Sequence, residues 1–187
     1  MSGRVADAPV LEGRHVLLRT VIPDDHPALL AAESSGDLIP RWRFRGATPQ
    51  ARRPSPDTLL ELLVVERATG HRVGLVAVYE ADLADGHARL AAARLDQTAR
   101  SPLMMLGLAM AVNYVFGCWA LRKLYLDLPE YNLEQFASGM GRHFELEARL
   151  RDHLFYGGER WDQLVLAIHR DAWERRPHPL LALELGS

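Results

Sequence analysis

Apolar residues in this chain fall into short runs broken by glycine, proline and charge, with one long apolar block past the middle. The run "HVLLRTV" (His15 to Val21) has the β-branched and aliphatic content of a strand. "PDDHPALLAAESS" follows, with acids near its start and Leu29 and Leu30 on an apolar face, and predicts a helix. From Gly36 to Pro56 the pattern dissolves into proline, arginine and glycine, an irregular surface segment. "LLELLVVERATGHRVGLVAVYEAD" (Leu59 to Asp82) predicts a β-hairpin turning at Thr69-Gly70. After the turn "LADGH", "HARLAAARLD" (His87 to Asp96) reads as a third antiparallel strand.

The long block "MMLGLAMAVNYVF" is apolar all round, which fits a helix buried against a sheet better than a lipid-facing stripe. Pro102 suits the first helical position, where its missing N–H matters least. "RKLYLDL" (Arg122 to Leu128) reads as a strand and "NLEQFASGMGR" as a short helix. The stretch from His143 to Arg170 reads as two long strands turning at Gly157-Gly158, and "DAWERR" adds a helical turn. The fold class is therefore α/β of the α+β type: a mixed, mostly antiparallel sheet with a central strand–helix–strand crossover. A single domain is expected from Leu11 to Trp173, with residues 174–187 as a tail or packing arm.

Composition narrows the function classes. A chain of 187 residues with 48% hydrophobic and 25% charged residues suits one folded domain. A net charge of −2 gives no overall attraction to nucleic acid or to an anionic membrane. One cysteine, Cys118, excludes an internal disulfide and reads as a small core residue rather than a nucleophile. The first residues, "MSGRVADAPVLEGR", lack the apolar core of a signal peptide, so a cytoplasmic setting is expected.

The order of elements, together with several motifs, resembles the GCN5-related N-acetyltransferase family, and most of all its branch related to the ribosomal-protein alanine acetyltransferases. "LEGRHVLLRTVIPDD" (Leu11 to Asp25) is similar to that branch's opening strand. "AVNYVFGCWALRKLYLDLPEYN" (Ala111 to Asn132) resembles the end of its central helix, the next strand and an asparagine. "FELEARLRDHLFYGGERWDQLVLAI" (Phe144 to Ile168) is similar to its closing hairpin. The resemblance implies acyl transfer, usually of acetyl, from coenzyme A to an amine on a small molecule or a protein. The donor substrate would be acetyl-CoA or another acyl-CoA, and no metal is implied. It further implies that Leu95 offers a backbone N–H to the thioester carbonyl and that Asn132 holds the pantetheine arm. A homodimer is compatible with the resembled fold.

The family's pyrophosphate loop, Gln/Arg-x-x-Gly-x-Gly/Ala, falls within Asp96 to Met104, yet there is no glycine between Gly86 and Gly107. The glycine positions are Arg100 and Pro102, or in the alternative register Ser101 and Leu103. Side chains there crowd a phosphate, and Pro102 removes a donor. Arg100 either supplies a charged fork for phosphate or is a solvated loop residue. Ser101 stands beside it at the helix start, where free N–H groups favour an anion. Asn132 either binds pantetheine or caps its helix. Seven residues after it, where many relatives carry a tyrosine acid, stands Gly139. No catalytic acid or base is transferred by the resemblance.

Two residues could take a proton through water, Glu80 and His87, although both suit solvated strand ends equally well. His143 and His153 show no metal-ligand spacing. The segment "RWRFRGATPQARR" places Arg41, Arg43, Arg45, Arg52 and Arg53 around Trp42 and Phe44 without an intervening acid. Such a stretch can grip an acyl carrier protein or a tRNA, or simply pack its aromatics inward with arginines in water. Three functions stay open: an acyltransferase with altered CoA binding, a transferase using a carrier-protein or aminoacyl-tRNA donor, and a non-catalytic binding relative.

Overall fold

The computed structural model describes residues 9–34, 57–95, 101–176 and 178–186. Aliphatic and β-branched runs become strands: β1 (Pro9–Glu12), β2 (Val16–Thr20), β3 (Thr58–Glu66), β4 (Arg72–Asp82), β5 (His87–Arg94), β6 (Lys123–Pro129), β7 (Glu145–Tyr156) and β8 (Glu159–His169). Among the described residues they form one sheet in the order β1-β2-β3-β4-β5-β6-β8-β7. Of these described strands, only β5 and β6 pair in parallel. The intervening helix α2 (Ser101–Cys118) makes that crossover, as parallel neighbours require. The expected fold class therefore stands, and with it the hairpin turn at Gly157 and Gly158, both at positive φ (62° and 86°).

The sheet buries both faces. Against one lies α2, whose Leu108, Ala111, Val112, Val115 and Phe116 share a core with Val64, Val76, Leu90, Leu124 and Leu166. Gly107 lets the helix approach closely: a Cβ there would stand 2.5 Å from a methyl of Val64. Against the other face lies α1 (His26–Ser34), with Leu29 packed on Leu63, Val65 and Leu75.

The expected helix over Pro23 to Ser35 is divided: a 3-10 turn at Pro23–Asp25 precedes α1. Asp25 turns inward there. Its buried carboxylate accepts two bonds from Arg19 (2.6 and 2.8 Å), one from Arg72 (2.7 Å) and one from the Ile22 N–H (3.0 Å). Burial would raise its pKa, but Arg19, the Ile22 N–H and Arg72 together hold it well below the usual carboxylate range.

Of the two expectations for residues 174–187, tail or packing arm, the described residues form the arm. After α3 (Arg170–Arg175), α4 (Pro179–Leu185) packs on α2 with Leu181 and Glu184 buried. The Glu184 carboxylate takes the His15 ring Nδ1 at 2.6 Å and the N–H groups of His15 and Val16 at 2.9 and 3.2 Å. This clasp, joining the last helix to the β1–β2 turn, carries no hydrophobic signature in the sequence. Among the described residues, no helix is long and apolar enough to cross a membrane.

Candidate active-site cleft

Strands β5 and β6 begin together and then part. Their pairing covers His87 with Lys123, Ala88 with Leu124 and Arg89 with Tyr125, and stops there. Beyond it β5 stays with β4 as far as Arg94, while β6 stays with β8 as far as Pro129. An opening is left between the carboxyl ends of two parallel strands, the usual position for a ligand in such sheets. Between Leu90 and Arg94 its β5 wall is built from Ala91, Ala92 and Ala93, small side chains along the middle of the opening. The first turn of α2 follows β5, and its unpaired N–H groups and dipole favour an anion at the head of the cleft.

The backbone phase of β5 corrects one expectation. The Leu95 N–H donates to the Val73 carbonyl at 3.0 Å, so it is turned into the β4 ladder and is not available to a thioester. Because N–H direction alternates along a strand, the groups turned toward β6 are those of the even positions, Leu90 and Ala92.

Of the other predicted residues, Asn132 is buried, in a 3-10 segment spanning Glu130–Gly139 at the end of β6. It does not cap that segment: Pro129 holds the N-cap position, without a side-chain bond. Ser101 opens α2 and Pro102 is its second residue, one place further in than expected but still in the first turn. Arg100 lies outside the described residues, as do Arg41, Arg43, Arg45, Arg52 and Arg53. Cys118 is exposed at the end of α2, not a core residue.

Both candidate proton acceptors flank the parting point. His87 stands at its closed end, its ring edge-on to Tyr125 at 5.9 Å. Glu80 reaches Arg89, whose Nε donates to it at 2.9 Å, while Arg89 Nη1 donates to Asp127 on β6. This Glu80–Arg89–Asp127 cluster escaped the sequence reading. The available signal was a charged residue in the interior of each of two apolar strands, Arg89 in "HARLAAAR" and Asp127 in "KLYLDL". Asp82, Asp85 and His87 bring one ligand atom each within 4.8 Å of the others. The Asp82 carboxylate, however, accepts the N–H groups of Ala84 and Asp85 (both 2.9 Å), the ordinary chemistry of an Asx turn.

No family model matches the sequence, and no curated protein does. Solved structures do match. A GCN5-related N-acetyltransferase from Brucella melitensis is 23% identical, with a TM-score of 0.66 over 87% of this chain and 79% of its own. Spermidine N-acetyltransferase from Vibrio cholerae, crystallised with CoA and spermine, is 16% identical, with a TM-score of 0.68 over 86% of this chain and 98% of its own. The likeness extends over most of each chain, and this chain has the fold of the GCN5-related N-acetyltransferases.

Proposed function

We propose that the protein is an N-acyltransferase that moves an acyl group, acetyl in the simplest case, from a coenzyme A thioester to an amine of a small molecule or a protein. The observation that carries this reading is the opening between β5 and β6 beneath the first turn of α2. A thioester lying between the strands would place its carbonyl against the N–H of Ala92, the first group turned toward β6 beyond their shared ladder, which stabilises the oxyanion of the tetrahedral intermediate. Asn132 would hold the pantetheine arm, and Arg100 with Ser101 the pyrophosphate. That a neighbour of this fold was crystallised with CoA and spermine supports an amine as acceptor.

The chemistry balances without a metal. An ammonium acceptor first loses one proton, through water, to Glu80 or His87. The nitrogen lone pair then forms the N–C bond, and the C–S bond breaks with its electron pair going to sulfur. The surplus proton on nitrogen passes to the thiolate, leaving amide, free thiol and one released proton.

Calorimetric titration with acetyl-CoA and free CoA tests the reading. Binding tighter than about 100 μM, roughly 5.5 kcal/mol, is expected. No heat, with an unchanged melting temperature, would overturn it. The glycine-free donor loop favours a second reading, in which a carrier protein or an aminoacyl-tRNA presents the acyl group. In that case neither CoA species binds, while an acylated carrier or a charged tRNA does, docking on Arg41 to Arg53.

A further inference from the structure

The charged residues where β5 and β6 part form a device of their own. Arg89 is the last residue of β5 paired with β6, and Asp127 lies two residues beyond its partner Tyr125. The Arg89–Asp127 ion pair therefore reaches diagonally across the first step of the opening. Glu80 holds the other side of the guanidinium from β4. A regular strand would send Glu80 to the face opposite Tyr79, which pairs with Arg89. A register shift between Tyr79 and Asp82 and a left-handed backbone at Glu80 (φ 48°) accompany its carboxylate's turn back to Arg89. A non-glycine residue held in that region invites a functional explanation.

The opposite face of the same vertex is closed by Leu90, Leu126 and Leu128, all buried in the core beneath α2. The alanine-lined wall thus leaves room along the cleft, while the vertex is shut on both sides. We propose that the Arg89–Asp127 bridge, steadied by Glu80, sets the depth of the cleft and so restricts the donor's acyl group to short chains. This inference rests on the acyl-transfer reading. Arg89 is a positioning residue that acts on specificity. The Arg89, Glu80 and Asp127 side chains are 37, 46 and 24% exposed, so removing one leaves the others solvated and the fold intact.

The experiment is calorimetric titration of the full chain with free CoA and with acetyl-, butanoyl- and hexanoyl-CoA, for the wild type, Arg89→Ala, Asp127→Ala and Arg89→Lys. The wild type is expected to bind acetyl-CoA at least tenfold more tightly than hexanoyl-CoA. In Arg89→Ala and in Asp127→Ala that ratio, referred to free CoA, narrows at least fivefold, and Arg89→Lys keeps most of it. The two alanine variants probe one bridge from different strands, so either decides if the other fails to fold. An unchanged ratio with free CoA still bound, or a wild type indifferent to chain length, would overturn the inference alone. No binding of free CoA to the wild type would overturn the acyl-transfer reading and the inference with it.

Discussion

Gly139, at the position where the resemblance implies a tyrosine acid in many relatives, has no room for a side chain. A Cβ there would lie 2.6 Å from two ring atoms of Phe144, which is itself buried and edge-on to Phe136 at 5.3 Å. The phenyl ring occupies the space a longer side chain would need. Gly139→Ala should therefore cost about 1–3 kcal/mol through overpacking, read as a lowered midpoint in denaturant. An unchanged midpoint would mean that Phe144 moves aside freely. The absence of a tyrosine was legible in the sequence, whereas its replacement by a packed ring was not. Leu95 marks the other limit of legibility. The run "RLAAARL" does not alternate apolar with polar, so nothing in it fixes which N–H groups face which neighbouring strand.

Among the elements, those with strong periodic or β-branched patterns were legible and those held by single polar contacts were not. The hairpin of β3 and β4, the crossover helix and the hairpin of β7 and β8 follow from their apolar runs and glycine turns. The division of α1 from its 3-10 turn depends on where Asp25 finds its partners, Arg19 and Arg72, which lie on two other strands. Removing that carboxylate leaves both guanidinium groups without their shared acceptor. Asp25→Asn is expected to cost about 3 kcal/mol at neutral pH. The pH dependence has a definite sign. The folded pKa is depressed, so this stabilisation is complete above the unfolded value of about 4 and fades as the pH falls from there toward the folded one. Chemical denaturation from pH 7 to pH 2 should show the gap between wild type and variant closing on the acid side. A constant gap would exclude the ion pair as its source. Edge strand β7 uses polar devices too. Register shifts after Leu146 and Leu150, a left-handed Asp152 (φ 49°) and the bonds from the Asp152 N–H (2.9 Å) and Arg149 (3.0 Å) to Asp162 interrupt the flat edge on which another chain could pair.

At the scale of the whole molecule, the mostly antiparallel sheet and its one crossover were foreseeable, but the early end of the parallel pair was not, because pairing length is set by packing on both sides of the sheet. That early end divides the molecule. Strands β1 to β5 form one block and β6, β8 and β7 another, and among the described residues the ladder joining them is three residue pairs long. α2 packs on both blocks, and a small cavity lies between its Met105, Leu108 and Val112 and the residues Phe144, Ile168 and Trp173. Two cooperative units are the expected consequence. Native-state hydrogen exchange should find Leu124, Leu126, Leu164 and Leu166 opening together at a lower free energy than Leu63, Val64, Val76 and Val78. A single common free energy for all eight amides would contradict this division. A thioester lodged in the opening would then act as a rivet through both blocks, and the melting temperature of the protein would become a direct gauge of how much acyl donor surrounds it.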